Sequence, residues 1–210
     1  MANESKGSDP PDPLIKGVTG VILAGGKSFR FGNNKALVEV NGTRLIERVV
    51  NVLGAIFERV ILISNTPHEY EYLQLPIYED ITKGLGPIGG LQTGLNKIEA
   101  QAGFFAACDM PFLNKDLIRH IVHTKDLYDA VVPRMDWKIE ALHALYTKQC
   151  LPAINHSIVS GDYQLITFLN KIRVRFIDED ILKKFDPELK CFININRPQE
   201  LARAQKEATS

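Results

Sequence analysis

The chain has 210 residues, 45% of them apolar, enough for one globular domain with a full core. Lys plus Arg and Asp plus Glu each number 25, so the formal net charge is zero; no strong field is available to hold nucleic acid or an anionic membrane. Three widely spaced cysteines, Cys108, Cys150 and Cys191, lie in or beside apolar runs, which argues against a disulfide framework or a zinc site and for reduced thiols in a cytoplasmic protein.

Residues 1–17, MANESKGSDPPDPLIKG, are polar and Pro-rich and lack the apolar stretch of a signal peptide. They are expected to be a disordered tail, with residues 18–210 forming a single domain. No apolar run approaches the length of a membrane span. GVTGVILAG (17–25) reads as a buried first strand. A polar, glycine-bearing loop follows, and the Asn41-Gly42 turn leads into Thr43 as the N-cap of a helix. Leu45, Ile46, Val49, Val50, Leu53 and Phe57 then recur at helical spacing.

RVILISN (59–65) reads as a second buried strand and residues 76–80 as a short third one. GPIGGLQTGLNKI opens a helix with Pro87 in its first turn, where the missing N–H costs nothing. GFFAACD (103–109) is the next strand, and Asn114 caps a helix running to about Lys125. DAVVPRM and EALHALYT read as strands, and helices are expected over 151–160 and 163–170. Strands VRFID and CFINI follow, with a last helix after Pro198. This alternation predicts an α/β protein: three layers, α/β/α, around a mostly parallel, Rossmann-like sheet. Such sheets bind ligands beyond the carboxyl ends of their strands.

The first strand runs into VILAGGKS, which ends like a P-loop, but Val21 stands where that motif needs glycine. A dinucleotide G-x-G-x-x-G is not met either, which argues against a nicotinamide oxidoreductase. What remains is a loop with open backbone at Gly25-Gly26 and three cations, Lys27, Arg30 and Lys35. The third strand delivers Asp80 and a Gly-Pro-rich loop whose glycines would let a ligand lie against the next helix. The fourth delivers Asp109 in C-D-M-P, a carboxylate suited to Mg²⁺ held jointly with substrate phosphates. Together these suit a nucleoside triphosphate with Mg²⁺.

L-A-G-G-K-S-x-R-x-G-x-x-K (Leu23 to Lys35), NGTRLIERV, E-D-(x)5-GPIGGLQTGL, CDMP, EALHALY and FININRPQEL together resemble the molybdenum cofactor guanylyltransferases, members of the nucleotidyltransferase superfamily. The resemblance spans nearly everything after the tail. It implies transfer of GMP from GTP to the terminal phosphate of molybdopterin, with Mg²⁺ and with pyrophosphate released. By resemblance, Leu23, Ala24 and Gly25 contact guanine and ribose, while Asn65 and Asp80 complete the nucleotide site. Lys35 contacts the phosphates, with Arg30 or Lys27 beside it. Asp109 holds the metal, and Asn194 and Asn196 face the pterin.

The family's further partners, a GTP-binding accessory protein and molybdoenzyme chaperones, are implied as well, and a monomer is expected. Three departures stand out: Asn34 where the family usually has Asp, Phe31 in place of the common methionine, and Ala141 in place of proline. The alternatives are a relative using CTP or a sugar or polyol phosphate acceptor, and a catalytically silent GTP-binding protein.

Outside these motifs, His120 and His123 stand three apart on a predicted helix and read as a solvated face without a third ligand. Glu140 and His143, three apart on a predicted strand, would point to opposite faces and share no ion. Trp137 would either cover the substrate groove or pack locally.

Overall fold

Short β-branched runs alternate with amphipathic segments, and the computed structural model turns them into strands and covering helices. It describes residues 12–25, 34–195 and 200. The first half comprises β1 (Val18–Leu23), β2 (Glu39–Val40), β3 (Thr43–Arg44), α1 (Leu45–Gly54), β4 (Val60–Ile63), β5 (Ile77–Tyr78), α2 (Pro87–Lys97) and β6 (Ala102–Ala107). The second comprises α3 (Lys115–His123), β7 (Ala130–Met135), β8 (Lys138–Ile139), β9 (His143–Thr147), α4 (Leu151–Val159), α5 (Leu165–Leu169), β10 (Val174–Asp178) and α6 (Glu179–Phe185).

The main sheet has the order β10-β7-β9-β6-β1-β4-β5, with β8 paired to β7. Contacts β5–β4, β4–β1 and β1–β6 are parallel; β9 runs antiparallel to β6 and β7, and β7 and β10 are again parallel. The expected three layers are there. Ile22, Phe104 and Ala106 face α1, α3 and α6 through Ile46, Leu53, Ile121 and Leu182. Val21, Leu23 and Phe105 point the other way, onto Leu91 and Leu95 of α2, Ile154 of α4 and Phe168 of α5. Neighbouring residues on one strand thus feed two cores, which is why these strands read as continuous apolar runs.

Several expectations need correction. Thr43 is not a helix N-cap: it pairs with Val40 in a two-residue hairpin closed by Asn41 and Gly42, both at positive φ. The cap falls on Arg44, whose N–H is accepted by the Glu47 carboxylate at 3.1 Å. CFINI forms no strand. Lys190–Phe192 is a 3-10 turn; Cys191 and Phe192 are buried in the core, with Phe192 against His143 of β9, and Ile195 clusters with Val40 and Leu45, so none of them adds a strand to the sheet. The strand expected over EALHALYT begins only at His143. α6 went unforeseen, although Glu179 and Asp180 in its first turn and Lys183 and Lys184 in its last match the helix dipole.

Residues 12–17, expected to belong to a disordered tail, are tied to the fold. Ile15 donates its N–H to Ile56 O at 2.7 Å and accepts from Glu58 N at 3.2 Å, while Arg119 holds Asp12 and the Pro13 carbonyl. Residues 1–11 lie outside the described ones, as does the helix expected after Pro198 apart from the helical Glu200.

Candidate nucleotidyl-transfer site

β1, β4, β5 and β6 are parallel, so their carboxyl ends share one edge of the sheet. At its centre the ladder runs one residue past β1, because Ala24 N donates to Ile63 O at 2.9 Å and Cys108 N to Leu23 O at 3.1 Å. Leu23 and Ala24 are buried by this pairing. Gly25 is exposed, and a Cβ there would meet nothing within 4 Å, so its backbone is open to a ligand. Lys27, Arg30 and Asn196 lie outside the described residues.

To one side, β4 and β5 deliver Asn65 and Asp80, which hold each other reciprocally. Asn65 Nδ2 donates to Asp80 Oδ2 at 2.7 Å, and Asp80 N donates to Asn65 Oδ1 at 3.1 Å. Asp80 Oδ1 is buried without a hydrogen-bond partner among the described residues. The next N–H, of Ile81, is tied to Thr93 Oγ1 of α2 at 2.9 Å. Gly86 enters that helix at φ 67, ψ −148, a conformation open in practice only to glycine. The glycines of this segment divide by role: Gly90 and Gly94 in α2 let the helix touch Leu23, Val21 and Phe105 and so serve packing, whereas Gly84 and Gly86 in the loop before it border open space.

To the other side, Asp109 follows β6 and Lys35 opens a 3-10 turn, Lys35–Leu37. Separated by 74 positions, the two meet in an ion pair whose side chains are only 13% and 17% exposed. Asp109 Oδ1 is buried and unpartnered among the described residues, as is Asn194 Oδ1. The C-terminal segment reaches this corner directly, Ile195 N donating to Asp109 O at 3.0 Å. Burial, helped by the adjacent Asp109 carboxylate, pushes the Cys108 thiol up to about 12, so Cys108 is no nucleophile at neutral pH.

No group of three or more His, Cys, Asp or Glu residues placed to hold a metal exists among the described residues. The orphaned Asp109 oxygen fits Mg²⁺ of the other kind, held by one carboxylate and completed by substrate phosphates.

Two features were missed from sequence. Asn34 Oδ1 accepts from Ala36 N at 3.0 Å, capping the Lys35 turn, while its Nδ2 donates to Glu69 Oε2 at 2.5 Å and Tyr70 Oη at 2.7 Å. The signal available was Thr66-Pro67-His68-Glu69, a helix-start pattern, and Thr66 Oγ1 does donate to Glu69 Oε2 at 2.8 Å. The second is the Glu140–Lys138 ion pair: Glu140, weighed from sequence only against His143, is buried just before β9 and outside that strand. His143, at the start of that strand, is fully buried between Phe104 and Phe192. The His120 ring packs against Phe185 at 4.9 Å instead of facing solvent with His123. Trp137 is 70% exposed at the β7–β8 turn, with Lys138 Nζ 5.9 Å from its ring.

The family model described as the MobA-like NTP transferase domain matches residues 20–175. A molybdenum cofactor guanylyltransferase of Desulfosudis oleivorans is 36% identical over 190 residues, covering 90% of this chain and 94% of its own. The crystal structure of molybdopterin-guanine dinucleotide biosynthesis protein A from Archaeoglobus fulgidus superposes with a TM-score of 0.80 at 28% identity, covering 91% of this chain and 98% of that one. A 4-diphosphocytidyl-2C-methyl-D-erythritol synthase from Anaerococcus prevotii, at 14% identity and TM-score 0.69 over 92% of this chain and 96% of that one, shares the fold alone.

Proposed function

The chain belongs to the MobA-like NTP transferase family and is a nucleotidyltransferase, and from that premise we propose that it transfers GMP from GTP to the terminal phosphate of molybdopterin. The observation that carries this reading is the Lys35–Asp109 pair, an ammonium and a largely buried carboxylate drawn from distant loops to one strand edge. Asn65 and Asp80 flank the open backbone at Gly25 on the nucleotide side, and Asn194 borders Asp109 on the other, where the acceptor would approach.

The acceptor is a phosphate monoester, already anionic near neutral pH, so attack on the α-phosphorus needs no general base from the protein. The site's task is positioning and charge neutralisation. Asp109 is the residue that would hold Mg²⁺, which when bound supplies positive charge at the phosphate oxygens. Lys35 exchanges its Asp109 partner for the nucleotide phosphates and neutralises the departing pyrophosphate. The backbone from Leu23 to Gly25 lies along the guanosine by resemblance; Leu23 O and Ala24 N belong to the sheet ladder, so Gly25 is the part open to it. Arg30 is the second cation of the motif, assigned by resemblance.

The direct test is GTP-dependent release of pyrophosphate with molybdopterin as acceptor, run beside CTP, ATP and UTP. Asp109→Ala should cut turnover by about 10²–10³-fold and abolish stimulation by added Mg²⁺. Lys35→Ala should lose turnover and GTP affinity while keeping the wild-type melting temperature within a few degrees. Preference for CTP, or an Asp109→Ala protein with near-normal turnover, defeats the reading.

A further inference from the structure

We propose that Glu69 is a positioning residue for the transfer reaction: acting through Asn34, it fixes the turn that presents Lys35 to the triphosphate. The inference rests on the reading of Lys35 as the phosphate-contacting cation.

The turn that carries Lys35 is three residues long, too short to hold its own orientation by internal hydrogen bonds. Among the described residues its anchors include the buried Ala36, the Asn34 side chain and the Lys35–Asp109 pair. One end of that side chain, Oδ1, caps Ala36 N, a task that an aspartate would perform equally well. The other end distinguishes the two residues. Nδ2 has two protons, and both are placed, one on the Glu69 carboxylate and one on the Tyr70 hydroxyl. A carboxylate at position 34 would have no proton to give and would stand directly against a second carboxylate.

Glu69 is itself held. Its Oε2 accepts from Thr66 Oγ1, and it lies in a 3-10 turn, Pro67–Glu69, tied by Tyr70 N to Pro67 O at 2.9 Å. Tyr70 is 2% exposed and anchors this connection in the core, and burial keeps its hydroxyl protonated. Asn34 is therefore not a weakened version of an acidic residue. The pair is an amide at 34 with a carboxylate at 69, and the connection between β4 and β5 sets the angle of a turn from a different part of the chain.

The test exchanges hydrogen-bond polarity. Asn34→Asp, Glu69→Ala, Glu69→Gln and the double variant Asn34→Asp/Glu69→Gln are assayed for pyrophosphate release, with separate KM values for GTP and molybdopterin and with thermal unfolding. Asn34→Asp and Glu69→Ala should each lower kcat about tenfold by displacing Lys35, raising the GTP KM and leaving that of molybdopterin unchanged. In the double variant the amide now at position 69 can donate to the carboxylate now at position 34. Turnover should then return to within about threefold of wild type, a non-additivity expected only of partners in contact. Wild-type turnover in Asn34→Asp and Glu69→Ala, or equal losses in the single and double Asn34→Asp variants, overturns the inference. Lys35→Ala keeps the two assignments apart: if it is fully active, the phosphate role of Lys35 fails first; if it is inactive while Glu69→Ala is normal, only the role of Glu69 fails.

Discussion

His143 has neither ring nitrogen hydrogen-bonded among the described residues, and Phe104 and Phe192 enclose it edge-on at 5.3 and 5.1 Å. Burial lowers its pKa to about 3 against an ordinary 6.5, with Asp186 opposing weakly. The unfolded chain therefore binds more protons than the folded one between those values. This contribution to stability is complete above pH 6.5 and is lost as pH falls toward 3. Between pH 7 and pH 5 the loss should be about 2 kcal/mol. In His143→Leu that share of the acid sensitivity should vanish; urea unfolding at the two pH values checks it, and an unchanged difference would refute the account. Gly25, Asn65, Asp80 and Asp109 could be singled out as candidates because each follows a strand that announces itself, as Asp109 follows GFFAAC. Glu69 was not, since its partner Asn34 stands 35 positions away and nothing local marks the encounter.

Among the elements, α2 shows what a helix must give up to bring its N-terminus to the sheet edge. A Cβ on Gly94 would fall 2.5 Å from Phe105 Cε1 and 3.0 Å from Val21 Cγ1. Gly94→Ala should thus destabilise the protein by roughly 1–3 kcal/mol through overpacking, outweighing the gain in helix propensity of under about 1 kcal/mol. A melting temperature equal to or above wild type would contradict this. Elements with long apolar runs were legible, while short ones were misjudged for local reasons. Thr43 is a good N-cap residue, yet the two-residue Asn-Gly turn recruits it into a hairpin one step before the helix. CFINI has the period of a strand, but its first residues form a 3-10 turn and its apolar side chains are buried without pairing to the sheet, Phe192 on His143 and Ile195 beside Val40 and Leu45.

At the scale of the whole molecule, the C-terminal segment leaves α6 and returns to the site, burying Cys191, Phe192 and Ile195 and fastening Ile195 to the Asp109 carbonyl. Phe192 is 4% exposed, so Phe192→Ala should cost about 3 kcal/mol, or roughly 10 °C in melting temperature for a domain of this size. It should also loosen the Asp109 loop and lower turnover at temperatures where the variant is still folded; a variant with wild-type melting temperature and turnover would show the segment to be a passive cover. Among the described residues no helix is long and apolar enough to cross a membrane. The sequence by itself determined the strand–helix alternation, the three-layer fold and the loops that carry Gly25, Lys35, Asp80 and Asp109, because apolar periodicity and turn chemistry are local. Only the tertiary structure decided that Lys35 meets Asp109, that Asn65 and Asp80 clasp each other, and that Asn34 answers to Glu69. Those pairings join side chains from different strand ends, and their geometry exists only once the sheet has brought the ends to one edge.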